Sequence, residues 1–447
     1  MTIATAKDNK VEVVVSENGQ AGLPGVNGTD GAGFNSVRKS KLDNPILNVF
    51  SKNKISKVLN GNLTTSRSTE ASLVDIYGII RYYPSGTGEN IPRQNIAGWL
   101  SESSSTNLII RSQDFNDTYW NKFNATVLSN SAQAPDLTMT ADTLVTDLNL
   151  SSHLFEVKDL YSKISVSDNA LITASCFIKF TGLEPNAEAV LGFSSKNNTF
   201  YSQRIDQAGN ENATGNVFDS GVDKLDNGWL RLWVVGDVES GTSSTAFFSI
   251  NTSVIQGTGA EAFHVWGAQV EELAVKTSYI KTTSATVTRN RDVYYVDLIN
   301  NTPKADGDWS LTVNVTPYQS SIGSVQKIID HQVLTGTAKH SLAIEAGGGF
   351  LYRYGGLTLT DVRATSITRQ INRLAIIKNG ENLSIYLNGE LSETSIITDA
   401  PELDLSGEIR FGSNQSFGGD GFFGTISDIR EYDFALNSDE IKYICGV

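Results

Sequence analysis

Trp309-Ser-Leu-Thr-Val-Asn-Val-Thr316 alternates apolar and polar residues without a break. That is the strand repeat: Trp309, Leu311, Val313 and Val315 go to one face, and Ser310, Thr312, Asn314 and Thr316 to the other. Similar short runs recur along the chain between clusters of Gly, Asn, Asp and Ser, at the spacing of an all-β sandwich. Ile172, Ala174, Cys176, Ile178 and Phe180 share one face of a strand between Asp168-Asn169 and Thr181-Gly182. Gly228–Val235 follows a turn at Asp226-Asn227, and Thr245–Ile250 comes next. With 447 residues, 19% of them charged, and 39 glycines, the composition suits a turn-rich β protein of two or three domains.

Phe263–Val270 is apolar on both faces, as a central strand covered on both sides would be. Alternation sends His264, Trp266, Ala268 and Val270 one way, and Phe263, Val265, Gly267 and Gln269 the other. A Ser/Thr-rich tail then runs to Thr288-Arg-Asn-Arg291, and a fresh set of strands begins, so a module boundary falls near residue 290. The second set includes Lys327–His331, His340–Glu345, Arg373–Ile377, Leu383–Leu387, Leu403–Gly412 and Phe423–Tyr432. Asn379-Gly380 and Asn388-Gly389 mark hairpins, because both residue types tolerate positive φ. Asn437, with Glu440 three residues on, reads as the cap of a short helix over Ser438–Ile444. The expected organisation is an N-terminal region over 1–100, a jelly-roll sandwich over 101–289 and a second sandwich over 290–447.

The N-terminal region carries glycine at every third position from Gly22 to Gly31, and again at Gly33. Three wound chains demand that repeat, because only glycine fits at their axis. A flexible glycine-rich linker would look the same over so short a tract, which could not hold a trimer by itself. Lys39, Lys41, Lys52, Lys54 and Lys57 then form a basic cluster, either a solvated surface or a docking face for an acidic partner.

A formal net charge of −14 argues against a nucleic-acid partner. No apolar run reaches the about 18 residues of a membrane-spanning helix, and the first residues lack a secretory core, so assembly in a cytoplasm is expected. Cys176 and Cys445 lie in different modules and are expected as free thiols, Cys176 a buried structural one. His153, His264, His331 and His340 are scattered, with none at metal-ligand spacing. Asp306-Gly-Asp308 and Asn414–Asp420 hold oxygens of the kind Ca²⁺ takes, but their composition is ordinary for loops, and no cofactor is expected. Glu271 and Glu272 are adjacent and face opposite ways along a strand. Asp428, Glu431 and Asp433 do not fall on alternate positions, and Arg430 stands beside Asp428. A retaining glycosidase needs two carboxyls about 5 Å apart, so no catalytic pair is expected and the chain reads as a non-enzyme.

Several motifs resemble those of tail fibre and appendage proteins of tailed bacteriophages. These are Arg67-Ser-Thr-Glu-Ala71, Asp75-Ile-Tyr-Gly78, Pro92-Arg93, Gly98-Trp-Leu-Ser-Glu102, Trp266-Gly-Ala-Gln-Val-Glu271 and Thr277-Ser-Tyr-Ile-Lys-Thr282. The resemblance implies a homotrimeric virion component of the tail, made in the host bacterium's cytoplasm and held to other tail or adaptor proteins by its N-terminal region. Residues 101–289 resemble galactose-binding and carbohydrate-binding-module jelly rolls. Such modules stack sugars on exposed rings, which makes Tyr119, Trp120, Trp229 and Trp233 candidates for host polysaccharide. Trp229 and Trp233 would equally face the core or the next module. Asn382–Gly389, Ile409–Gly412 and Gly424–Leu436 together resemble the concanavalin A-like, laminin-G-like sandwich. That fold hosts lectins, adhesion modules and glycosidases. A glycan-binding lectin and a polysaccharide-degrading tailspike are the alternatives to a structural appendage.

Overall fold

A computed structural model describes residues 47–48, 64–88, 92–95, 97–149, 152–241, 245–252, 257–297, 307–319, 323–332, 339–399, 407–413 and 421–446. The glycine triplets and the basic cluster lie outside these residues. The fold is all-β, and its named strands pair antiparallel, as the alternation requires.

Among the described residues the first sandwich has two sheets of six strands. One runs Ala125–Ala132, Ala141–Thr146, Glu261–Glu271, Leu171–Phe180, Leu230–Asp237 and Asp219–Lys224 in spatial order. The other runs Glu211–Thr214, Phe200–Asp206, Glu188–Ser194, Phe247–Thr252, His153–Lys158 and Asn121–Phe123. Ile172, Ala174, Cys176 and Ile178 enter the core between them, as their spacing predicts. Glu261–Glu271 is a central strand, but its alternation breaks at Gly267, where the pairing to Leu171–Phe180 slips by one residue. Gly267 has φ +66°, and a Cβ there would lie 3.0 Å from the Phe177 ring. Phe263 and Val265 therefore share the core with Ala268 and Val270, which alternation had placed on the opposite face, while Trp266 points out. A hairpin of Ala71–Val74 and Ile80–Tyr83 covers that outer side, packing Ile80 with Trp266, Phe177, Tyr279 and Trp229.

The second sandwich contains strands from both sides of the first in sequence. Gly98–Ser101 pairs with Gly424–Tyr432 in one sheet, and Thr64–Arg67 pairs with Val293–Asp297 in the other. Trp99 sits in the second sandwich's core, stacked on Tyr294 at 5.7 Å. Gly98 makes this approach feasible: at φ +136°, a Cβ would fall 2.4 Å from the Ile426 carbonyl oxygen. Thr64–Arg67 and Gly98–Ser101 are thus strands of the second sandwich, while the hairpin of Ala71–Val74 and Ile80–Tyr83 between them covers the first, and the first sandwich is inserted between two pieces of the second. The chain leaves through Ser105–Asn107 and returns through Val287–Arg289, and these two strands pair with each other as a neck.

The C-terminal elements follow the sequence closely. Trp309, Leu311, Val313 and Val315 all enter the core. Asn388 and Gly389 take φ of 51° and 88° in the turn between Asn382–Leu387 and Glu390–Ile396. The helix Ser438–Cys445 begins with a capping box in which Asn437 and Glu440 satisfy each other's backbone N–H. Both cysteines are free and buried. Among the described residues no helix is long and apolar enough to cross a membrane.

Candidate functional site

The four aromatic candidates do not assemble into a sugar platform. Trp120 is 1% exposed, packed on Phe115 at 4.8 Å, and its indole N–H donates to the Arg111 carbonyl. Trp229, 2% exposed, lies beneath the hairpin that begins at Ala71. Trp233 is buried with the Lys276 ammonium 4.4 Å from its ring centre. Tyr119 is half-buried, edge-on to Trp120, with Lys163 over its ring. Stacking needs a free ring face. Trp120, Trp229 and Trp233 are therefore corrected as sugar-stacking candidates: Trp120 packs on Phe115, and Trp229 and Trp233 take the buried alternative left open for them.

The carboxylates separate just as firmly. Asp428 adopts φ +52° at a bulge against Trp309–Pro317, so Ile426 and Ile429 both enter the core, where strict alternation would put them on opposite faces. Arg430 pairs with Asp428 at 2.7 Å. Glu431 is buried between the sheets, 3.2 Å from His331 Nε2. His331 lies opposite His340 in the strand register, and the two rings stack at 5.1 Å. This inner polar cluster escaped the sequence reading, because two histidines on different strands meet only once the register is known. Burial first, and then the neighbouring His331, holds the His340 imidazole well below its ordinary range and so neutral. Among the described residues no group of three His, Cys, Asp or Glu is arranged to hold a metal ion. Asp308 accepts the Gly380 N–H at 2.8 Å, while Asp306 and 414–420 lie outside the described residues.

Four of the motifs that resemble phage appendage proteins supply Arg67, Arg93, Glu102 and Ser278 to one buried network where the two sandwiches join. Arg67 donates to Asp292 at 2.8 Å, and Arg93 bonds the other Asp292 oxygen. Arg93 also reaches Glu102 at 2.7 Å, and Arg289 approaches Glu102 at 3.5 Å. The backbone N–H and the hydroxyl of Ser278 both donate to Glu102, each at 2.7 Å. Other guanidinium N–H groups find carbonyls, such as those of Tyr83, Pro84 and Ser103, while the buried Arg289 Nε has no partner among the described residues. Burial alone would raise the Glu102 carboxyl, but Arg93, Arg289 and Ser278 bring it down to about 2. A second contact between the sandwiches runs from Gln319, whose amide donates to Asp219 at 2.8 Å.

One open cavity, of 520 Å³, lies on the first sandwich between loop 111–116, the bulged strand Ala125–Ala132 and residues 281–283. Asp142 forms its floor, accepting the backbone N–H groups of Phe115 and Asn130 at 2.8 Å each. Burial raises the Asp142 carboxyl above the ordinary range, with those two hydrogen bonds opposing the shift.

Residues 277–442 match the sequence model of the Concanavalin A-like lectin/glucanases superfamily, so the second sandwich is a concanavalin A-like domain, as its motifs implied. No curated protein matches the chain. Among solved structures it is similar to the receptor binding domain of botulinum neurotoxin C/D mosaic serotype, at 18% identity and TM-score 0.30 over 35% of this chain and 40% of that one. The receptor binding domain of botulinum neurotoxin D gives 17% and 0.30 over 35% and 41%. The binding domain of Paraclostridial Mosquitocidal Protein 1 gives 14% and 0.27 over 35% and 43%. The chain thus spans about two fifths of the length of these chains. Likenesses this remote carry nothing about function.

Proposed function

We propose that this chain is a structural component of a bacteriophage virion, a tail fibre or tail appendage protein that presents two sandwiches toward host surface polysaccharide. The observation behind this reading is the junction. Motifs that resemble those of phage appendage proteins, far apart in sequence, supply Arg67, Arg93, Glu102 and Ser278 to one buried network. Such a network suits display of two modules in a fixed relation. Because Leu47–Asn48, Thr64–Arg67 and Gly98–Ser101 all pair into the second sandwich, attachment to other virion proteins is assigned to the segment before Leu47. Antibody raised against the second sandwich should label the tail in electron micrographs of particles, and deletion of Met1–Gly33 should remove that label. Particles that carry no label, or keep it after the deletion, would overturn the reading.

A lectin acting alone is the second reading, favoured by the polar cavity. Hydrolysis is the least supported: Asp428 is paired to Arg430, and Glu431 is enclosed with His331 rather than presented to a cleft. Glu431→Gln and Asp433→Asn particles should infect normally, and the purified protein should release no reducing sugar from host polysaccharide. Turnover that either variant abolishes would establish an enzyme instead.

A further inference from the structure

The 520 Å³ cavity is within the size range of small-molecule sites, but its walls are unusual for one. No aromatic ring lines it, which disfavours an apolar ligand or a nucleobase. Two cations, Arg111 and Lys281, stand with two carboxylates, Asp114 and Asp142, and Arg111 is also paired with Asp117 at 3.1 Å, so the walls carry no excess of positive charge. A phosphate or sulfate would meet both acids, on a chain of net charge −14. The rest of the lining is amide and hydroxyl, including Asn116 and Asn130. A sugar hydroxyl donates and accepts at once, so adjacent hydroxyls are best met by acceptors and donors side by side. Asp142 keeps the two walls in place, because its oxygens take a backbone N–H from each. Such pre-organisation lowers the ordering cost of binding.

We propose that this cavity binds a short, neutral oligosaccharide through Arg111, Asp114, Asn130 and Lys281. The inference deepens the adhesion reading above and rests on it. The test applies the full chain to an array of neutral and acidic oligosaccharides and to host cells, beside the exposed-site variants Asp114→Ala and Lys281→Ala. Neutral glycans should be captured, and calorimetry on the best of them should show about tenfold weaker binding in each variant, with unchanged melting temperature. Undiminished capture by both variants would overturn the cavity while leaving adhesion standing. Preference for acidic glycans would overturn the neutral assignment. Failure of the unaltered chain to bind either the array or host cells would end both proposals.

Discussion

Glu102 concentrates the junction's electrostatics in one carboxylate enclosed by Arg93, Arg289 and Ser278. Removing one member of a buried ion network leaves its partner charged and unsolvated, at a cost of about 3–5 kcal/mol. Glu102→Gln should therefore lower stability by that order, read as an earlier urea midpoint at neutral pH; an unchanged midpoint would show that the network adds nothing. The sign of the pH dependence follows from the folded value of about 2 against 4.5 when unfolded. Stability from Glu102 is complete above pH 4.5 and is lost as pH falls toward 2. The Glu102→Gln variant should lose less stability than the unaltered chain across that window. Residue types were legible here while roles were not: Arg93 and Asp292 are separated by most of the first sandwich, and nothing local announces that they pair.

Two bulges decide which faces the strands present. At Gly267 and at Asp428 one extra residue with positive φ reverses all later alternation. Trp309–Pro317 has unbroken alternation, and its core face was readable, although Ser310 and Thr312 on the other face are buried as well. Ala268, by contrast, was grouped with Trp266 and in the structure joins Phe263 and Val265. Gly267→Ala should cost about 1–3 kcal/mol, since the new methyl meets Phe177 and the backbone stays left-handed. Thermal unfolding measures it, and a neutral result would mean that the bulge can migrate. The Asn-Gly turns and the Asn437 cap were legible because their chemistry is local.

For the whole molecule, the division at residue 100 was the least legible feature, since strand pairing across an inserted domain leaves no local mark. Trp99→Ala should destabilise the second sandwich by about 3–5 kcal/mol, although the residue precedes the first sandwich in sequence. Deletion of residues 1–33 should leave the melting temperature unchanged, whereas deletion of 1–102 should unfold the second sandwich. Equal melting of both truncations would contradict the shared sheets. We propose, from the resemblance to phage appendage proteins together with the glycine triplets, a trimer at micromolar concentration, and a monomer or dimer mass would count against it. The neck of Ser105–Asn107 and Val287–Arg289 has a mechanical corollary. A domain hung on a single strand can swivel, but one reached by two paired backbone passages resists torsion, and a pull on it is divided between them. It also resembles a plug-in cassette: both crossing points lie side by side, so a different sandwich could be spliced there without severing any strand of its host.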